Sequence, residues 1–247
     1  MSTRKKLFIF GGLAAVAAVV LAGAAVYSTL VPGDAPARAN LSDAVASVSQ
    51  TQDANATATA SADTRAAGLT GTWVLAENGE SFVGYRVQEE LASIGTFTAV
   101  GRTQNLTATL AFDGSAITDV QVTADLTGLT SDNSMRDGQL RRQALETDTY
   151  PTATFDLTEP IELDGVPAEG ETISATAVGD LTLHSVTRSV SIPLEGQLSN
   201  GYVVVVGSLD IQFADYDIQK PTSAAVLGVE DHGVLELQVV FQQGTQG

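Results

Sequence analysis

The chain of 247 residues contains no cysteine, only two histidines, few aromatic residues and few basic side chains. Without cysteine, the protein can form no disulfide, no thiolate metal site and no lipid attachment through an N-terminal cysteine. Twelve lysines and arginines stand against 29 aspartates and glutamates, which gives a formal net charge of −17. A surface that follows nucleic acid phosphates needs a basic face, so this balance argues against nucleic acid as a partner.

Side chains suited to catalysis are also scarce. His184 and His232 are the two imidazoles, and no nucleophile motif of the G-x-S-x-G type occurs. His184 follows a predicted strand and precedes a turn, which is typical of a rim or hydrogen-bonding residue. His232 follows Glu230-Asp231, but three adjacent residues do not surround a metal ion. We therefore expect a protein that is not an enzyme, with no catalytic residue, no metal and no cofactor.

The N-terminus carries the one long apolar run of the sequence. Arg4, Lys5 and Lys6 precede an uncharged segment from Leu7 to Val31. Its 25 residues would extend about 37 Å as a helix, enough to cross a hydrocarbon core of about 30 Å. We predict a transmembrane signal-anchor over residues 1–32, with the remainder of the chain extracytoplasmic because the positive charges precede the run. The alternative is cleavage after Ala37-Arg38-Ala39, which would release a periplasmic or secreted protein.

Two further regions follow the apolar run. Residues 33–68 are mostly Ala, Ser, Thr, Asp, Asn and Gln, and this composition predicts a disordered linker. Residues 69–247 form the predicted folded domain. That domain has 7 basic and 25 acidic side chains, which gives a formal charge of −18.

The folded domain alternates apolar and polar residues with period two in about eight segments, which predicts half-buried β-strands. Residues 107–112 and 117–126 form a predicted hairpin, because Asp113-Gly114 lies between them. An antiparallel sheet of eight strands can close into a barrel that removes its exposed edges. Small residues on the inferred inner faces favour a cavity over a solid interior; they are Ala108, Ala124, Ala153, Ala175 and Ala177.

One segment interrupts the alternation. Ser134 with Asp137 fits the start of a helix, and Leu140 and Ala144 lie one turn apart on one face. The segment also contains three of the domain's seven basic residues, Arg136, Arg141 and Arg142. We predict one short helix, and two functions remain open for it. It could be a basic lid over the barrel, or it could plug the barrel end with its leucines.

Two motifs give the domain a family resemblance. The first is Arg136-Asp137 with Leu140-Arg141, followed by Tyr150-Pro151 and Phe155. The second runs from Gly179 to His184 and continues with Val186-Thr187-Arg188. In this order and spacing the motifs resemble the YceI-like family of exported, lipocalin-like barrels that bind polyisoprenoids or other long lipids. The resemblance covers roughly residues 71–243. It departs at Ser185, where family members commonly have glycine, and at Gln88-Glu89, where they often have histidine.

The resemblance implies an all-β, eight-stranded antiparallel lipocalin-like barrel that holds a polyisoprenoid, a quinone or a similar long-chain amphiphile. The apolar residues expected to contact the ligand are Tyr85, Phe97, Leu110, Phe112, Val122, Leu140, Phe155 and Leu181. The polar head is expected near Arg136, Arg141 or Arg142, with His184 at the rim. Two alternatives remain: an enzyme that acts on lipids or quinones through His184, and a surface or stress-response interaction domain with a filled core. A homodimer is also left open.

Overall fold

The computed structural model describes residues 35–49, 68–77, 79–92, 95–163, 165–222 and 226–244. The predicted signal-anchor over residues 1–32 lies outside these ranges, as do residues 50–67 of the predicted linker. Within the described ranges, no helix has both the length and the apolar character needed to cross a membrane. Residues from Ala35 onward belong to a single compact unit.

Two α-helices and thirteen β-strands make up the described part of this unit. The helices are α1 (Leu41–Ser49) and α2 (Ser134–Gln139), and α2 continues into a π-helical turn (Leu140–Ala144). The strands are β1 (Gly71–Leu75), β2 (Phe82–Leu91), β3 (Gly95–Thr103), β4 (Leu106–Phe112), β5 (Ala116–Asp125), β6 (Thr130–Ser131), β7 (Thr152–Leu157), β8 (Ile161–Glu162), β9 (Thr172–Leu183), β10 (Val186–Ser199), β11 (Tyr202–Gln212), β12 (Val226–Val229) and β13 (His232–Gln243).

Eight of the strands close into an antiparallel barrel, as the sequence predicts. The ring runs β1-β4-β5-β7-β9-β10-β11-β13 and closes because β13 pairs with β1 through Phe241 to Gln243. The same edge of β13 pairs with β2 over residues 234–238, so β13 exchanges one partner for another along its length. Strands β3 and β6 continue the sheet beyond β2, and β12 pairs with β2 near its end.

Tight turns define the two ends of the barrel. At the lower end, Asp113 Oδ1 accepts hydrogen bonds from the backbone N–H groups of Ser115 and Ala116, which confirms the predicted β4–β5 hairpin. Asn200 and Gly201 join β10 to β11 at the same end with positive φ angles of 53° and 79°. Asn-Gly is a strong hairpin signal that favours this type of turn, and it marks the end of β10. The upper end includes the β9–β10 turn and α2.

Helix α2 lies where the sequence predicts it, but its N-cap is the residue before Ser134. Asn133 is the N-cap, since its side chain accepts hydrogen bonds from the backbone N–H groups of Met135 and Arg136. The predicted cap, Ser134, is inside the helix. Asp137 instead binds the hydroxyl and the backbone N–H of Ser131, and thereby ties α2 to β6.

The prediction of a disordered linker is wrong for residues 41–49, which form α1. Leu41, Ala44 and Val48 share one face of the helix and are buried in a cluster on the outer wall of the barrel. Their partners in that cluster include Val204 and Val240. The linker was predicted from composition alone. Three apolar residues at helical spacing are nevertheless enough for a helix to pack against an apolar strip of the sheet.

The residues before α1 cross the neighbouring strands. Arg86 of β2 and Arg102 of β3 both bind the carboxylate of Glu236 on β13, at 2.7 Å and 2.8 Å. The same two guanidinium groups donate to the backbone carbonyl oxygens of Pro36 and Ala37. We call residues 35–49 the belt, because Pro36 and Ala37 bind β2 and β3 while α1 packs on β10, β11 and Val240 of β13.

Candidate ligand-binding site

The barrel interior contains two cavities that follow each other along its axis. The upper cavity has a volume of about 190 Å³ and the lower cavity about 100 Å³. Their walls are almost entirely apolar. Each is smaller than the roughly 300–1,000 Å³ of a pocket for a drug-sized ligand, so neither cavity alone has room for a bulky molecule.

The upper cavity is lined by β2, β5, β7, β9, β11 and β13, together with α2 and the segment after β11. Its apolar lining residues include Val83, Tyr85, Val122, Ala124, Leu126, Leu129, Leu140, Ala144, Leu145, Ala153, Phe155, Leu181, Leu183, Ile192, Leu209, Ile211, Leu235, Leu237 and Val239. Lining residues that reach the surface at its upper end are Gln219, which is exposed, and Leu140, Pro221 and Val229, which are partly exposed. The opening of the cavity therefore lies between α2, the segment around Pro221 and β12.

The lower cavity lies at the end of the barrel where β1 begins. Its lining residues include Leu69, Trp73, Leu110, Phe112, Ile161, Leu163, Ile173, Ala175, Leu194, Leu198, Val203 and Val205. Between the two cavities, Ala177 and Phe241 belong to the buried core and line neither cavity. From Ile173 to Leu183, the wall of β9 extends ten residue steps, or about 33 Å measured along the strand.

A polar corner lies in the wall of the upper cavity beneath α2. Arg136 donates to both carboxylate oxygens of Glu89, with Nε at 3.1 Å and 3.2 Å, and it also pairs with Asp132. The guanidinium lies 5.3 Å from the centre of the Phe97 ring. Arg136 and Glu89 are both almost completely buried. The two carboxylates compensate the arginine, so this corner presents no free positive charge to the interior.

Tyr85 is the second polar side chain of this corner. Its ring lies against Gly101 on β3, where an added Cβ would come within 2.3 Å of the ring. Its hydroxyl is buried and makes no hydrogen bond of ordinary geometry within the described residues. Burial raises the pKa of Tyr85 well above its usual value, and the nearby charge of Arg136 only partly opposes this rise. The group therefore stays a neutral phenol.

Six of the predicted ligand residues line the upper cavity and two line the lower one. Tyr85, Val122, Arg136, Leu140, Phe155 and Leu181 belong to the upper set, and Leu110 and Phe112 to the lower set. Phe97 instead packs beneath the guanidinium of Arg136, and Arg141 and Arg142 are exposed on the π-helical turn. Whether any of these residues contacts a ligand stays a prediction.

His184 is held at the upper end of the barrel by contacts with the protein. Its Nδ1 lies 3.1 Å from the carbonyl oxygen of Tyr216, and its Nε2 lies 3.2 Å from Glu146. The ring also packs edge-on against Tyr150, at 4.3 Å between ring centres. The imidazole is buried and does not line either cavity. These contacts fit the hydrogen-bonding role expected for it, and its contact with a ligand at the rim stays a prediction.

Sequence reasoning missed one part of the site. Gln219 and Pro221, from the segment after β11, and Val229 of β12 line the opening, although no periodic pattern marks them. The backbone N–H of Thr222 donates to Gln143 on the π-helical turn at 3.0 Å and joins the two sides of the opening. Within the part of the chain that the structure describes, no group of three or more His, Cys, Asp or Glu side chains could hold a metal ion.

Comparisons with known proteins agree with this architecture. A UPF0312 protein of Vibrio parahaemolyticus is 28% identical over 144 residues, which are 53% of this chain and 71% of that protein. Its counterpart in Vibrio campbellii is 29% identical over the same share of each chain. The polyisoprenoid-binding domain of Saccharophagus degradans implicated in plant cell wall breakdown superposes with a TM-score of 0.54 at 20% identity, over 71% of this chain and 99% of that one. At this identity the likeness concerns the fold alone. The YceI-like domain itself matches residues 73–241, and the chain therefore belongs to the YceI-like family.

Proposed function

We propose that this protein is a membrane-tethered, extracytoplasmic carrier that holds a polyisoprenoid, a quinone or a similar long-chain amphiphile inside its barrel. The observation that carries the proposal is the pair of apolar cavities that follow each other along the barrel axis. Burial of apolar surface contributes about 25 cal/mol per Å², so a hydrocarbon chain is the ligand that such walls favour.

The opening determines where the polar end of such a ligand lies. The interior walls offer almost no polar atom, and Arg136 is already compensated by Glu89 and Asp132. A charged head inside the barrel would lose its hydration without gaining a partner. The head therefore stays at the upper opening, near Arg136 and the exposed Arg141 and Arg142, while the tail extends toward the lower cavity.

The Saccharophagus degradans domain supports the class of ligand, because its barrel has the same fold and is described as polyisoprenoid-binding. Attachment to the membrane rests on the sequence of residues 1–32 alone. Fractionation after an alkaline wash tests it: an anchored protein stays with the membrane, whereas cleavage after Ala39 yields a soluble form that begins at Asn40.

Blocking each cavity separately tests the carrier function. Ala124 lines the upper cavity and Ala175 the lower one. In Ala124→Trp the indole occupies the path of any tail, so we expect at least tenfold weaker binding of a long-chain polyprenyl probe, equivalent to about 1.4 kcal/mol. Ala175→Trp should weaken binding of long chains and leave short chains almost unaffected. Binding is measured by probe fluorescence and by mass spectrometry of solvent extracts.

The matched control is Ala46→Trp, which adds the same ring at an exposed position of α1 outside the barrel. Thermal unfolding verifies that each variant is folded. The carrier function is rejected if the wild-type chain contains no lipid, takes up no polyprenyl or quinone probe, and responds to neither tryptophan inside the barrel.

A further inference from the structure

The rim of the upper opening carries an unusual pair of side chains. Met135 is 74% exposed and Leu227 is 67% exposed, and they are the two large hydrophobic side chains that stand exposed among the described residues. Exposure of such residues has a cost in water, and apolar groups that cluster beside an opening commonly mark an interaction site. The rest of the described surface has no comparable residue.

Both residues flank the same opening. Met135 precedes Arg136 on α2, and Arg136 lines the upper cavity. Leu227 lies on β12, whose Val229 lines the cavity from the other side. The two elements meet at β2, because Arg136 binds Glu89 and β12 pairs with β2 from Glu89 to Leu91. Each of the two apolar residues thus lies on an element that also lines the mouth through which a tail would enter.

The two elements are fixed in place rather than loosely attached. Asn133 caps α2, and the Arg136–Glu89 pair holds the helix against β2. Backbone pairing with β2 holds β12. Since neither element can turn its apolar residue inward without breaking these bonds, the exposure is part of the folded structure.

We propose that Met135 and Leu227 insert into the surface of a neutral phospholipid bilayer, so that tails pass directly between the bilayer and the upper cavity. This docking surface rests on the proposed carrier function. A bilayer is the source that matches an apolar cavity, because long hydrocarbon chains have negligible solubility in water.

Charge at the rim identifies the kind of bilayer. Arg141, Arg142 and Lys220 are exposed there, but Glu90 and Glu230 are exposed beside them. The rim has no strong positive excess, and the domain as a whole carries 25 acidic and 7 basic side chains. Anionic lipid would repel such a domain, whereas zwitterionic phosphatidylcholine would not.

The absence of native cysteine allows a direct test on the full chain. Met135→Cys, Leu227→Cys and Thr172→Cys each receive one environment-sensitive fluorophore; Thr172 is exposed at the lower end of the barrel and serves as the control. With phosphatidylcholine vesicles that contain a lipid-borne quencher, we expect a blue shift and quenching at positions 135 and 227 and neither change at 172. Labels that remain in water at all three positions overturn the proposal. A blue shift at 135 and 227 before vesicles are added indicates a second copy or another protein on this surface, and also overturns it.

A transfer assay separates this proposal from the carrier function. The double variant Met135→Glu with Leu227→Glu should slow transfer of a polyprenyl probe from vesicles by about tenfold or more, because apolar burial drives interfacial binding. Its uptake of the same probe from dilute detergent solution, where no bilayer is present, should equal that of the wild type. If the wild type takes up no probe from solution, the carrier function fails, and the fluorophore measurement still decides the docking. Equal transfer rates for the variant and the wild type overturn the docking proposal.

Discussion

At the scale of single residues, the polar corner beneath α2 combines a compensated ion pair with a neutral phenol. Arg136 and Glu89 satisfy each other, and the Tyr85 hydroxyl is buried beside them without an ordinary hydrogen bond in the described structure. A buried phenol of this kind resists ionisation, because the phenolate would lose its hydration. The corner therefore presents neither a free positive charge nor a phenolate to the interior.

Tyr85 gives the protein a predictable response to alkaline pH. Burial raises its pKa above the ordinary value of 10.0, so above that pH the unfolded chain releases a proton that the folded chain retains. Its contribution to stability is complete below about pH 10 and declines as the pH rises further, by about 1.4 kcal/mol per pH unit. We expect the free energy of unfolding of Tyr85→Phe to fall less steeply above pH 10 than that of the wild type.

Urea unfolding across this pH range measures the difference. Tyr202→Phe is the control, because Tyr202 is only partly buried and lies on the outer wall of the barrel. At pH 7, Tyr85→Phe should change the free energy of unfolding very little, since it removes a hydroxyl that has no hydrogen bond of ordinary geometry. Identical pH profiles for the wild type and Tyr85→Phe would contradict the buried-phenol interpretation.

The sequence predicts which apolar residues lie on the inner wall. It does not predict which polar side chains pair with each other there. Alternation placed Leu110, Val122, Phe155 and Leu181 on the inner face, because the side-chain period of a strand is two and one face is apolar. The binding of Arg136 to Glu89 links residues 47 positions apart. No local pattern encodes a pair of that kind, because only the closed sheet brings β2 beneath α2.

At the scale of elements, the β9–β10 turn is built on a residue that is poorly suited to it. His184 and Ser185 have positive φ angles of 51° and 61°, the conformation that a two-residue hairpin turn needs. Serine is strained in the left-handed region, and glycine is not. A glycine at the position of Ser185 would not carry this strain.

Ser185→Gly should therefore stabilise the protein. We expect a gain of about 0.5–1 kcal/mol, because relief of left-handed strain exceeds the added entropy of glycine in the unfolded chain. Ser189→Gly, at an exposed position inside β10, is the matched control and should destabilise the protein. Midpoints of urea unfolding measure both changes, and a loss of stability in Ser185→Gly would refute the assignment of strain.

Helix α1 could not be predicted from the sequence alone. Leu41, Ala44 and Val48 are spaced as one helical face, but the surrounding alanines, serines and polar residues have the composition of a linker. A helix of nine residues is marginal by itself, and its stability comes from the surface on which it packs. That surface, the strip around Val204 and Val240, exists only after the barrel has closed.

At the scale of the whole molecule, the belt joins the strands where barrel closure is weakest. Strand β13 exchanges its partner from β1 to β2 along one edge, and the belt crosses the outer face there. Glu236 is 3% exposed on that face because Arg86, Arg102 and the belt cover it. Strand β2 also forms part of the wall of the upper cavity, so contacts on the outer face support the inner one.

Removal of the belt is the corresponding test. We compare a chain that begins at Ala35 with one that begins at Leu69, the predicted start of the folded domain. Burial of Leu41 and Val48 contributes about 1.5–3 kcal/mol each before the entropy of ordering the belt is subtracted. The net loss of unfolding free energy in the shorter chain should therefore be smaller than this burial sum, about 1–2 kcal/mol. Its polyprenyl binding should weaken as well, because β2 is then held to β13 without the carbonyl groups of Pro36 and Ala37.

Leu41→Ala in the longer chain should reproduce part of the loss of stability, and Ala46→Gln, at an exposed position of the same helix, should not. Equal urea midpoints for the two chains would show that the folded unit needs only residues 69–247, and that the belt rests on the barrel without supporting it.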